Sequence, residues 1–281
     1  MELLKRFFGS DASEKPVDDA AVLREYIEGF AASDDGQRLY VSIHAGRLVR
    51  SLQLTPPGGP EDRILEMGAY MQITPALKKF KHYGEVRGCH LGPVGQVSEK
   101  VATSTTGETF HCALDLFDAE HDTFPYPDGH FKTVICCELL EHLSADPMHM
   151  LAEVNRILKP GGFLVLNTPN ICSMKAVWAV LHGEHPGLYQ QFIRPVHGYT
   201  DPRHAREYAP SEMSKLLQAA GFELKNLETG PYGLQSAPVD GSVVKLLTEK
   251  GFDTHLRGET MHVLGQKVGP VADRFPKWLY D

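Results

Sequence analysis

Three side chains in one short word, CELLEHL at 137–143, are of types that move protons: Glu138, Glu141 and His142. Imidazole titrates near neutral pH, so His142 is the candidate general base. The alternative is that Glu141 and His142 cap and orient a loop. A second word, RPVHGYTDPRHAREYAP at 194–210, gathers His197, His204, Arg206, Glu207 and Tyr208. These residues could bind a polar substrate, or tie their segment to the rest of the fold through hydrogen bonds. The chain holds 14 histidines. Their nearest clusters are His182 with His185 and His197 with His204. Neither contains HExxH or a cysteine at zinc spacing, so no metal centre is expected.

These residues need a scaffold, and the flanking sequence supplies one. Residues 63–67, 85–90, 110–116, 133–137 and 163–168 read as buried strands, each bounded by turn residues. Helices separate them. Thr74 opens one, with Pro75 at its first position. Asp146 caps another, begun by Pro147, and Met148, Leu151, Val154 and Leu158 form its buried stripe. Lys159-Pro160-Gly161-Gly162 ends that helix, with glycine supplying a positive-φ turn. Further on, 210–220 reads as a helix stopped by Gly221, 222–227 as strand six, and 261–266 as a last strand. Alternation of this kind builds a doubly wound sheet with its ligand cleft at the carboxyl ends of the strands. CELLEHL follows strand four and therefore faces that cleft. A long stretch at about 170–209, rich in His, Gly, Pro and Tyr, reads as an inserted loop.

Before the sheet, Leu23, Tyr26, Ile27 and Phe30 mark one helix face. Asp18 and Asp19 stand at its start. Val41, Ala45, Leu48 and Leu52 mark a second helix, at 37–52. TPPGGP at 55–60 then breaks the pattern. The helices before it could lie over the cleft as a lid or pack on its flank.

DTFPYPDGHF (122–131), CELLEHL (137–143) and RILKPGGFLVLNTPN (156–170) closely resemble the second half of class I S-adenosylmethionine-dependent methyltransferases, of the type 11-like group. The resemblance covers 61–266. It implies an α/β fold, a Rossmann-like seven-stranded mostly parallel sheet with an N-terminal helical extension. On that frame 1–58 is a helical segment and 59–281 the methyltransferase-like domain.

The cofactor implied is S-adenosyl-L-methionine. In this family an acid ends strand one and holds the amino-acid end of the donor, followed by a glycine-rich turn. Glu66 and Gly68 match, Ala69 is small, and Tyr70 and Gln72 stand where glycine is usual. The Tyr70 ring could stack over the ligand or fill its pocket. His90 falls where the family places a carboxylate on the ribose hydroxyls. Asp118 and Ala119 are the adenine candidates. Glu138 lies near the donor. His142 faces the acceptor, and so do His197, His204, Arg206 and Tyr208. The function implied is methyl transfer to a small-molecule or glycan-type acceptor, at oxygen. The alternative, motivated by Tyr70, Gln72 and His90, is a catalytically silent methyltransferase-like scaffold or regulatory binding protein.

Composition narrows the setting. A net charge of -8 disfavours a broad phosphate-binding surface, so no nucleic-acid partner is expected. No run approaches the roughly 20 apolar residues of a membrane span. The first residues, MELLKRFFGS, are too short and polar for a secretory signal. Cys89, Cys112, Cys136, Cys137 and Cys172 lack CxxC spacing and are odd in number, which points to a reduced, cytoplasmic compartment. Cys136 and Cys137 should face opposite sides of one strand. No GxGxxG follows a strand, which argues against a nicotinamide oxidoreductase.

Overall fold

The computed structural model describes residues 17–31, 35–189, 191, 194, 203–233 and 241–281. Two helices come first, α1 (Ala20–Ala31) and α2 (Asp35–Leu54). Then follow β1 (Arg63–Met67), α3 (Thr74–Lys79), β2 (Glu85–His90), β3 (Val97–Thr103), β4 (Thr109–Leu116), β5 (Phe131–Cys137), α4 (Pro147–Ile157) and β6 (Leu158–Pro169). The chain continues through α5 (Met174–Leu181), α6 (Pro210–Ala219), β7 (Phe222–Gly230), α7 (Gly241–Glu249) and β8 (Thr260–Lys267).

The strands form one sheet in the order β3-β4-β2-β1-β5-β6-β8-β7. Strands β4, β2, β1, β5 and β6 pair in parallel, and β8 runs antiparallel between β6 and β7. The chain order reverses between β1 and β5, and the crevice of a doubly wound sheet opens at such a reversal. Eight strands stand where seven were expected. The extra one, β3, pairs antiparallel with β4 at the sheet edge.

Alternation along each strand sends residues to two different cores. Leu65, Met67, Val134 and Cys136 join α4 and α6 on one face. Ile64 and Ile135 meet α1, α2 and α3 on the other, with Cys137 packed against that cluster. The adjacent cysteines therefore point to opposite faces, as expected, and all five cysteines are free. Leu23, Ile27 and Phe30 of α1 are buried, as are Val41, Ala45, Leu48 and Leu52 of α2. These helices cover a sheet face. The reading of 170–209 as a loop needs correction, because α5 lies within it. Asn170 just after β6 and Tyr208 before α6 form a parallel bridge. No helix among the described residues is long and apolar enough to cross a membrane.

Helix ends follow their capping residues. Asp146 accepts from the His149 amide, and Pro147 starts α4. Burial alone would raise the Asp146 carboxyl, but Arg274, Tyr280 and the His149 amide together hold it at about 2. A depressed carboxylate adds stability above its unfolded value near 3.8, and the gain fades as pH falls toward 2. Asp146→Ala should cost about 1–2 kcal/mol in urea unfolding at pH 7, with the deficit shrinking below pH ~4.

Candidate active site

The end of β1 carries a buried acid beside a glycine turn. Glu66 is buried, and its Oε2 has no hydrogen-bond partner. Burial pushes its carboxyl up to about 7, only partly offset by the Thr74 hydroxyl and the Lys100 charge. A carboxylate held this way lacks a cation. Beside it Gly68 takes φ +66, and nothing lies within 4 Å of where a Cβ would sit. The turn thus leaves open space next to an acid whose Oε2 has no hydrogen bond.

The Tyr70 ring does not fill that space. Ala69 and Met71 on either side turn inward and pack with Cys112 and Leu114. Tyr70 between them is turned outward and is 53% exposed. Its ring rests 4.8 Å from that of His90, with the Lys100 ammonium 5.2 Å from its centroid. Lys100 belongs to β3, so the unforeseen strand braces this turn. Gln72 binds the Gln37 side chain at the start of α2.

His90 closes β2. Its Nε2 lies 2.7 Å from the Ala69 carbonyl oxygen. A carbonyl only accepts, so Nε2 donates, and in the neutral ring Nδ1 carries the lone pair. Beyond β4, the Asp118 carboxylate accepts from the Glu120 amide at 2.8 Å and meets His121 Nδ1 at 3.1 Å. Burial raises its pKa, but the Glu120 amide and His121 outweigh that and hold it below the usual range. Its side chain builds its own turn, and Ala119 packs against the core.

Across the crevice, Glu138 follows β5 with φ +50. This left-handed conformation is uncommon outside glycine and is held by two bonds from the Glu138 amide, to the Asn167 carbonyl and side chain. The Glu138 carboxylate stands 3.6 Å from Arg47 Nη1, and its Oε1 has no hydrogen bond. Arg47 comes from α2 and is buried. It donates to the Tyr40 hydroxyl at 2.6 Å and to Asn167 Oδ1 at 3.4 Å. Its guanidinium lies 5.8 Å and 5.7 Å from the Tyr40 and Tyr232 ring centroids. Burial raises the Glu138 carboxyl, although Arg47 and then His204 pull it back.

Sequence reasoning passed over Arg47, Tyr40 and Tyr232. The signal for Arg47 was present in α2: His44, Arg47 and Ser51 recur at helical spacing beside the apolar stripe of Val41, Ala45, Leu48 and Leu52. Polar residues inside a buried stripe mark a polar seam.

A 3-10 turn, Leu140–His142, carries the remaining candidates. Glu141 is fully buried; its Oε2 accepts from the Thr168 hydroxyl at 2.9 Å and its Oε1 has no hydrogen bond. Burial, then the Glu138 charge, lifts its carboxyl well above the usual range. The Glu141 carbonyl accepts from the Ala205 and Arg206 amides. That clasp brings in His204, whose ring lies 5.1 Å from that of His142. His142 is exposed and its Nδ1 faces the Arg203 carbonyl at 2.8 Å.

The substrate residues expected at 197–208 separate. His204 joins the cluster. Arg206 is exposed and donates to Glu212 at 2.7 Å, which ties it to α6. Tyr208 is buried in the core cluster of α4 and α6, and its hydroxyl has no hydrogen bond. His197 lies outside the described residues.

Known proteins place this geometry. A family model described as a methyltransferase domain matches residues 44–227. Over 113 residues the chain is 31% identical to a ubiquinone biosynthesis O-methyltransferase of Thiobacillus denitrificans, covering 40% of this chain and 45% of that protein. It is 27% identical over 141 residues to a candidate S-adenosylmethionine-dependent methyltransferase of Mycolicibacterium smegmatis, covering 49% and 48%. The chain thus spans about half the length of the curated relatives it matches. A solved candidate methyltransferase of Bacillus halodurans superposes with a TM-score of 0.51 at 17% identity, over 80% of this chain and 100% of that one. That likeness concerns the fold. The match spans the end of β1, the end of β5 and Tyr208, so the candidate site except Tyr40 and Tyr232 falls within it, and the chain belongs to the methyltransferase domain family.

Proposed function

We propose that this protein transfers a methyl group from S-adenosylmethionine to an oxygen of a small-molecule or glycan-type acceptor. The observation that carries this reading is the buried Glu66 carboxylate, whose Oε2 has no hydrogen bond, beside the open turn at Gly68. A cationic amino-acid end fits that place, because the charge would relieve the burial cost of the acid. His90 Nδ1 would accept from a ribose hydroxyl, and the turn at Asp118 and Ala119 would border the adenine. When bound, S-adenosylmethionine supplies a methyl group on a positively charged sulfur.

The chain's own task is then to place and prepare the acceptor. With Nδ1 donating to the Arg203 carbonyl, His142 carries its lone pair on Nε2, which can take a hydroxyl proton. Glu138, Arg47 and the rings of Tyr40 and Tyr232 would form one wall, and His204 another. The helical segment before residue 59 is in this reading a wall of the site. The oxygen acceptor is supported by the name of the Thiobacillus relative. The free cysteines support a cytoplasmic setting.

Calorimetry with S-adenosylmethionine and S-adenosylhomocysteine tests the donor, and a labelled-methyl assay over phenols, sugars and other hydroxyl compounds tests the acceptor. Micromolar donor binding with label incorporated into a hydroxyl compound is the expected result. No heat and no thermal shift at millimolar donor would favour the silent scaffold.

A further inference from the structure

Glu141, His142 and His204 each offer one ligand atom, and these atoms lie within 4.8 Å of one another. We propose that the three residues hold a first-row divalent cation of the zinc or manganese kind, with a coordination position open to the cleft. This inference rests on the methyltransferase reading for its role in the reaction, but not for the existence of the site.

Both histidines are prepared for the part. His204 Nδ1 lies 2.8 Å from Glu207 Oε1, and His142 Nδ1 lies 2.8 Å from the Arg203 carbonyl oxygen. Each acceptor fixes a proton on Nδ1 and leaves the lone pair on Nε2. Metal-binding histidines are held in this way, by a carboxylate or carbonyl on the far nitrogen. The third group is equally specific. Thr168 fixes one oxygen of Glu141, while the other is buried without a hydrogen bond.

His204 Nε2 and Glu141 Oε1 stand 4.0 Å apart. That is too long for a hydrogen bond, so the two atoms bound a space rather than share a proton. Ligand atoms around one tetrahedral cation lie roughly 3.4 Å apart at bond lengths of about 2.1 Å. The pair needs to close by only about half an ångström to reach that spacing. Two imidazoles and one carboxylate suit zinc, manganese or iron better than magnesium or calcium, which favour all-oxygen sites. His142 is exposed, which puts the cluster at the solvent edge.

The consequence for the reaction is definite. A cation here takes the His142 lone pair, so His142 acts as a ligand and not as a base. With a cation held there, the acceptor hydroxyl would lose its proton to solvent, and its oxygen would bond to the methyl carbon as the methyl–sulfur bond breaks and S-adenosylhomocysteine leaves with that electron pair.

The test uses the full chain stripped with a chelator and then dialysed against zinc, manganese or cobalt. Metal analysis should find stoichiometric binding, with cobalt giving a visible absorption band that zinc abolishes. Glu207→Gln should weaken binding about 10–100-fold by loosening the His204 ring. Binding should vanish in His142→Ala/His204→Ala, with folding checked by circular dichroism. Cation binding by wild type no greater than by that double variant would overturn the proposal. If the cation binds while no donor does, the site stands and the methyltransferase reading fails. If label transfer survives the chelator and no cation binds, the cation fails and His142 remains the base.

Discussion

Glu66→Gln should remove measurable donor binding and, at pH 8, raise the melting temperature of the ligand-free protein. Both effects have one cause. Burial shifts the Glu66 carboxyl from 4.5 to about 7 in the folded chain. Between those values the folded state binds more protons than the unfolded one, so stability falls as pH rises through the window. Above it the ionised acid costs on the order of 3 kcal/mol. Glutamine keeps the shape, carries no charge and can donate to the neighbouring Thr74 hydroxyl. The gain should be on the order of 5–10 °C at pH 8 and fade near pH ~4.5. The donor's ammonium needs the ionised acid, so wild-type affinity should drop about tenfold for each pH unit below 7. Calorimetry across pH 5.5–8.5, paired with thermal melts of both proteins, measures this. Donor affinity in the variant within twofold of wild type would disprove the role of Glu66, and a lower melting point at pH 8 would disprove its unrelieved burial.

The parts legible in the sequence are those where local pattern and final environment agree. Strands β1 and β2 fall on the expected residues because they are buried runs between clear turn signals. Strand β3 escaped because it lies at the sheet edge and is mostly exposed; Val97 and Val101 are 55% and 53% accessible among Ser, Glu, Lys and Thr. An edge strand buries no face, so it leaves no alternation to read. Helix α5 escaped for a related reason: within Met174–Leu181 only Ala176 and Ala179 are buried.

The site divides in the same way. Glu66, Gly68, His90 and Glu138 sit at strand ends, and strand ends follow from strand assignments. The approach of His204 to Glu141 depends on a backbone clasp across more than 60 positions, which no spacing rule contains. The burial of the Tyr208 ring in the core likewise follows from the fold and not from local spacing. Tyr70 looked obstructive because sequence shows a ring's bulk but not its direction, and the direction is set by the inward turn of Ala69 and Met71.

Arg47→Met should be the most destabilising single change at this edge, at about 3–5 kcal/mol, because it strands a buried acid. Arg47 sits 3.6 Å from a Glu138 carboxylate whose Oε1 has no other partner, with Glu141 also buried nearby. Glu138 is already raised above 4.5 with Arg47 present, and removing the cation raises it further. A raised acid loses stability as pH climbs past its unfolded value, so the Arg47→Met deficit should widen from pH 5 to pH 8. Adding Glu138→Gln removes the stranded charge and should restore most of the loss. The two changes should therefore be strongly non-additive in a double-mutant cycle by urea unfolding at both pH values. This cycle also separates the two readings of the N-terminal helices. Strong coupling makes α2 part of the crevice wall, pinned to the end of β5 by charge. Additive losses would mean that α2 is held by its apolar stripe alone, and that Arg47 has no share in the site.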